Sequence, residues 1–213
     1  MLIEALGNIV QTGSMLAFIG SMVTLVVNLK INKRTNKVSS RTYLHTTVEN
    51  TNLLLADFHF EDRAKLIFTD EYRNFVRGLN GLENADKIKS KTPCSFLKIG
   101  NLGSNPCFDV KIRLTLEEWN KELIHKSYNV YVLQEGEDIF IPLVTFNREK
   151  YTLVFSEIEF KTLANETLIY QIRPVQEANG RVNITQGMYV KRMIKNKKIF
   201  QLNAPDLEWR KLK

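Results

Sequence analysis

Between Ala5 and Leu29 the chain carries no charged side chain, and Lys30, Lys33, Arg34, Lys37 and Arg41 then follow with no acid among them. A bilayer core takes roughly 20 mainly apolar helical residues to cross. The run from Ile9 to Leu29 has that length, and its polar interruptions at Gln11, Thr12, Ser14 and Asn28 are uncharged. The sequence therefore predicts an N-terminal transmembrane helix over 1–30, a basic juxtamembrane stalk over 31–52 and a β domain over 53–213.

A cleaved secretory signal would open with a positive segment and carry a shorter apolar run of about 7–15 residues. Here Glu4 is the only charged side chain ahead of the run, and the basic residues come after it. The pattern predicts an uncleaved single-pass anchor in an inner (cytoplasmic) membrane. Its N-terminus would lie outside and its C-terminal domain in the cytoplasm, because cytoplasmic flanks are enriched in Lys and Arg. Gly13, Ala17 and Ser21 recur every four residues, a small-residue stripe along which a second helix could pack closely and the chain self-associate.

The remainder is of ordinary single-domain length. At 44% hydrophobic and 25% charged, the chain has the composition of a folding protein with a real core. The formal net charge of +7 is concentrated in the juxtamembrane cluster and in Lys191, Arg192, Lys195, Lys197 and Lys198. Both clusters read first as solvated faces able to lie against anionic headgroups. Nucleic acid is disfavoured as a partner, since no recognised binding motif accompanies the charge.

Downstream of the anchor, hydrophobic periodicity becomes alternating. Phe108, Val110, Ile112, Leu114 and Leu116 alternate with Asp109, Lys111, Arg113 and Thr115, the pattern of a half-buried strand. Ser95–Ile99 reads as a strand before it, and Gly100 to Pro106 as the tight turn of a hairpin between them. Further strands are expected at Leu53–Phe60, Tyr128–Leu133, Asp138–Leu143, Tyr151–Phe160, Thr167–Arg173, Met188–Ile194 and Ile199–Leu202, with a bulge near Ser156–Glu157. Arg41–Asn52 reads as a polar stalk or helical continuation, Asp62–Val76 as either helix or strand, and Asn80–Ser90 as a charged loop. The fold class is mainly β: a transmembrane helix followed by an antiparallel immunoglobulin-like sandwich, with a small barrel as the alternative.

The run from Phe96 to Leu114 resembles a loose group of bacterial single-pass membrane-anchored proteins with a cytoplasmic immunoglobulin-like β-sandwich domain. Leu97, Ile99, Asn101, Gly103, Pro106, Val110 and Ile112 match that group's hairpin pattern, with Cys107 in place of its usual Ala. Leu133 to Ile141 resembles its Leu-x-Pro-Gly-Glu turn, with Glu135 in place of Pro. These residues encode turn geometry and core packing, and imply a fold without implying an activity.

Catalytic constellations are missing from the sequence. His45, His59 and His125 are scattered without metal-ligand spacing, and no catalytic or cofactor-binding motif is present. The acids Glu117, Glu118, Glu135, Glu137 and Asp138 read as solvated turn and strand-end residues. Trp119 and Trp209 read as either interface anchors or packing residues. Cys94 and Cys107 read as reduced core thiols, able to pair only if the hairpin sets them on neighbouring strands in an oxidising compartment.

The expectation is a non-enzymatic, membrane-anchored binding or assembly module, with no cofactor or metal and a protein partner or self-association. Its contacts would lie at Asn101–Asn105, Glu135–Glu137 and Asn179–Gly180. The alternative is an antiphage-type membrane effector whose β domain senses a small anionic nucleotide and drives oligomerisation of the helix. A basic pocket involving Arg173, Arg181, Lys191 or Arg192 would favour that reading, and these four with Lys195, Lys197 and Lys198 are the candidate contacts for an anionic ligand or lipid.

Overall fold

The computed structural model describes residues 2–52, 63–117, 121–143, 152–176 and 182–204, and side chains for 18–49, 63–117, 121–143, 153–173 and 184–202. The chain divides into two units, Met1–Ser40 and Arg41–Lys213.

The first unit is one helix, α1 (Leu2–Ser39). It passes through the basic segment without a break, so the first part of the expected stalk is helical. Among the described residues, no helix is long and apolar enough to cross a membrane. A stretch of crossing length that starts at Phe18, the first described side chain of α1, takes in Lys30, Lys33 and Arg34. The earlier half of the Ile9–Leu29 run, with Gly13 and Ala17, lies outside the described side chains.

Among the described residues, the second unit contains ten strands and two short helices. The strands are β1 (Leu44–Asn52), β2 (Ala64–Leu66), β3 (Pro93–Asn101), β4 (Cys107–Glu117), β5 (Leu123–Leu133), β6 (Asp138–Pro142), β7 (Thr152–Lys161), β8 (Thr167–Gln176), β9 (Val182–Val190) and β10 (Lys197–Ala204). They form a four-stranded sheet, β1-β3-β6-β2, and a six-stranded sheet, β10-β9-β8-β7-β4-β5. All pairings are antiparallel except β2 with β6. Leu97, Ile99, Ile139 and Ile141 from one sheet share a buried core with Val110, Ile112, Leu114, Ile158, Phe160, Leu168 and Met188 from the other. The unit is thus a sandwich of two separate sheets.

The helices α2 (Asp70–Asn80) and α3 (Ala85–Lys91) add a third layer. Thr69 caps α2 by accepting a hydrogen bond from the Tyr72 N–H at 3.2 Å. Tyr72, Phe75, Val76 and Leu79, at helical spacing, then pack with Cys94, Phe96 and Phe140 on the outer face of the smaller sheet. β3 and β6 are covered on both faces, which is why their sequences read as nearly continuous apolar runs.

Several expectations are corrected. β3 and β4 do not pair: β3 lies between β1 and β6, and β4 between β5 and β7. The Gly- and Asn-rich link 102–106 is an arch carrying the chain from one sheet to the other, because the apolar faces of both strands are buried against each other in the core. Cys94 consequently lies beneath the helices and Cys107 in the intersheet core, both as free thiols.

Arg41–Asn52, which carries no clean period, contributes strand β1, held by nine register pairs to β3. The inward phase of β4 breaks at Asp109, whose φ of 49° is left-handed, so that Cys107 and Val110 both face inward and Phe108 is only half-buried. In β7 the irregularity lies between Leu153 and Phe155, slightly before the expected bend at Ser156–Glu157. β9 ends at Val190, so Met193 and Ile194 belong to a loop. The 80–90 segment, expected as loop, contains most of α3. Leu53–Phe60 lies outside the described residues.

Candidate functional site

The β unit begins at Arg41, and this start shares one end of the sandwich with four connections: 102–106, 134–137, 162–166 and 191–196. Strand pairing sets them there. Leu44 pairs with Asn101, Cys107 with Leu133, Phe108 with Lys161, Lys161 with Thr167, and Leu168 with Val190. Much of this end is rigidly fastened. Asn101, buried, accepts from the Thr42 hydroxyl at 2.5 Å and the Gly103 N–H at 3.0 Å through Oδ1, and donates through Nδ2 to the carbonyls of Asn105 and Leu133. Gly103 approaches Thr42 so closely that a Cβ there would meet the Thr42 backbone at 2.8 Å. The Glu137 carboxylate accepts from the Gln134 N–H at 2.8 Å and pairs with Lys65 at 2.5 Å. Gly136, at φ +66°, makes the turn between them. Asn101–Asn105 and Glu135–Glu137 are thus pinned turns on a rigid scaffold, whereas Asn179–Gly180 lies outside the described residues.

Among the described residues, the basic side chains divide into committed and uncommitted groups. Arg41, expected at the membrane surface, instead forms a two-pronged pair with Glu166, Nε to Oε2 at 2.7 Å and a second nitrogen to Oε1 at 3.1 Å. It fastens the start of β1 to the β7–β8 turn. Lys191 donates to both oxygens of Glu159 at 2.8 Å. Arg173 stacks over the Phe155 ring at 5.1 Å and donates to Gln171. By contrast Lys30, Lys33, Arg34 and Lys37 recur at helical spacing along one side of α1. Arg192 and Lys195 are exposed on the β9–β10 connection, and Lys197 and Lys198 at the start of β10.

The outer face of the six-stranded sheet carries a ladder of opposite charges. Arg113 pairs with Glu157 and Glu159, and Lys161 pairs with Asp109 at 2.7 Å. The Lys161 partner holds the Asp109 carboxyl below the usual range. A hollow of 530 Å³ on this face is lined by Asp109, Lys111, Asn129, Tyr131, Glu159 and Lys161. Its cations already face acids, so it offers no net positive field. A second hollow, of 280 Å³, lies beside Arg173 and is otherwise lined by the uncharged Gln171, Thr185, Gly187, Tyr189 and Gln201.

Arg173 does not converge with the later members of the expected anion pocket. Arg173 pairs with Thr185, whereas Lys191 bonds the backbone of Thr167. Six residues of β8 separate these levels, about 20 Å at the usual strand rise. Arg181 lies outside the described residues, as do His59, Trp119 and Trp209. Among the described residues, no group of three or more His, Cys, Asp or Glu side chains is placed to hold a metal. His125 instead hydrogen-bonds Thr115 at 3.1 Å on the sheet surface.

The sequence reading missed Met193 and Ile194. At 104% and 101% relative exposure they protrude from the β9–β10 connection. A phase test extended past Val190 would have exposed the error, because 193 and 194 are adjacent apolar residues between Arg192 and Lys195, without strand alternation. The chain matches no known family model, no curated protein and no solved structure.

Proposed function

We propose that the chain is a membrane-anchored, non-catalytic binding or assembly module, with α1 spanning a bacterial inner membrane and an immunoglobulin-like β-sandwich held at its cytoplasmic face. The observation that carries this reading is the described surface of α1. Phe18, Ile19, Met22, Val23, Leu25, Val26, Val27, Leu29 and Ile31 are each about half exposed. At 100° per residue those positions span about 240° of the helix circumference, and the remaining sector carries Ser21, Thr24 and Asn28, all uncharged. An apolar surface that wide calls for an apolar medium around most of the helix. Two of its polar residues bond the helix backbone: the Ser21 hydroxyl donates to the Phe18 carbonyl and the Thr24 hydroxyl to the Gly20 carbonyl, both at 2.8 Å. Lys30, Lys33, Arg34 and Lys37 then mark the end expected at the cytoplasmic headgroups.

A binding role for the β unit is supported by pinned loops on a two-sheet scaffold, the usual setting for recognition. Membrane pellets from cells expressing the full chain test the anchor. The protein is expected to remain in the pellet through alkaline carbonate and high salt, and externally added protease should leave the β unit intact in sealed spheroplasts. Release by carbonate would refute the span. Digestion of the β unit in intact spheroplasts would refute the orientation.

A further inference from the structure

The β9–β10 connection has the build of an element that enters a lipid surface. β9 ends at Val190 and β10 starts at Lys197, paired with each other, so residues 191–196 project beyond the sheet. The Arg192 N–H donates to the Asn196 side chain at 3.2 Å and the Lys191 N–H to the Thr167 carbonyl at 2.9 Å, which preorganises the loop. Its tip is Met193–Ile194, both wholly exposed. Around the tip stand Arg192, Lys195, Lys197 and Lys198, and no acid occurs from Lys191 to Lys198.

We propose that the Met193–Ile194 hairpin tip inserts into the interfacial layer of an anionic phospholipid bilayer while Arg192, Lys195, Lys197 and Lys198 bind the surrounding headgroup phosphates. This deepens the membrane-anchor reading and rests on it for the nearness of a bilayer. Two features select lipid over other anionic partners. The tip is aliphatic, suited to acyl chains and without the aromatic rings on which nucleic-acid bases stack. The same end of the sandwich exposes Leu102 and Leu163 on neighbouring connections and contains Arg41, where the chain enters from α1. The committed cations Lys191 and Arg41 are not part of the contact, because Glu159 and Glu166 hold them.

The test uses the full chain with Met193→Cys carrying a nitrobenzoxadiazole fluorophore, in vesicles of phosphatidylcholine with or without phosphatidylglycerol. Cys94 and Cys107 are buried and remain unlabelled in the native protein. The expected result is a blue shift and a several-fold rise in emission with phosphatidylglycerol, and little change without it. Adding Ile194→Asp should abolish the rise. Lys197→Gln with Lys198→Gln should lower the inserted fraction relative to the free one by about fivefold per lysine. The same label at Leu123→Cys, on the opposite end of the sandwich, should not respond.

Flotation with phosphatidylcholine vesicles reads the anchor separately. Flotation with no emission change in phosphatidylglycerol would overturn the hairpin proposal and leave the anchor standing. An emission rise without flotation on the neutral vesicles would support the hairpin and overturn the anchor. No response to vesicles together with a response to a single-stranded oligonucleotide would overturn the proposal in favour of nucleic acid.

Discussion

Replacing Arg41 by Ala separates two roles that a basic residue at this position could have. Its guanidinium faces Glu166, whose side chain is 8% exposed against 19% for Arg41. Glu166 is also built into its turn, since its N–H donates to the Thr162 hydroxyl and its carbonyl accepts from the Thr162 N–H. Arg41→Ala therefore strands a largely buried carboxylate that cannot swing into solvent without opening the β7–β8 turn. Breaking a buried pair this way costs on the order of 3–5 kcal/mol. Water reaches the Arg41 side, which lowers the expectation to about 2–3 kcal/mol. For a unit of this size the corresponding drop in Tm is roughly 5–10 °C. Thermal unfolding of the full chain in detergent, followed by circular dichroism at a β-sheet wavelength, measures it. The double variant Arg41→Ala/Glu166→Ala should recover at least half the loss, because no charge is left unpaired. A Tm within one degree of the parent for Arg41→Ala, accompanied by weaker association with anionic vesicles, would refute this reasoning and return Arg41 to the headgroup role that its place in the sequence suggests.

Asn101→Ala should cost about 2–3 kcal/mol, since it removes the acceptor for Thr42 and Gly103 and the donor to the Asn105 and Leu133 carbonyls; a chemical-denaturation midpoint equal to that of the parent would contradict the hub. The Cys107 thiol, fully buried and pushed up to about 12 by burial, should react with a disulfide reagent only after unfolding, so rapid thiol release from native protein would count against the core placement. Burial, with Cys94 nearby, raises the Tyr72 hydroxyl from 10.0 to about 12. The folded state therefore keeps a proton that the unfolded state loses, and stability falls as pH rises from about 10 toward 12. Tyr72→Phe should flatten that part of the stability profile by about 2 kcal/mol, and an unchanged alkaline slope would exclude Tyr72 as its source.

The sequence alone determined whatever depends on neighbours along the chain. The charge-free run and its basic flank made α1 legible. Strict alternation from Val110 to Leu116 placed the inward face of β4 correctly, and Gly, Asn and Pro marked where strands stop. These signals are local, because one buried face against solvent imposes a two-residue period whatever the partner. Tertiary structure decided which strand meets which. The arch at 102–106 has the composition of a hairpin turn, and only burial of β3 against both the helices and the opposite sheet shows that β3 and β4 belong to different layers. β1 lacked a clean period because its place is held largely by pairing with β3, and α2 emerged once its apolar stripe had a sheet face to cover. The same holds for the candidate site. Lys191, Arg173 and Arg41 look like the other cations in sequence, but Glu159, Phe155 and Glu166 reach them only after folding. Arg192, Lys195, Lys197 and Lys198 are left around an apolar tip because the β9 ladder ends at Val190. Charge can be counted from a sequence, but its partners are set by contacts across the fold.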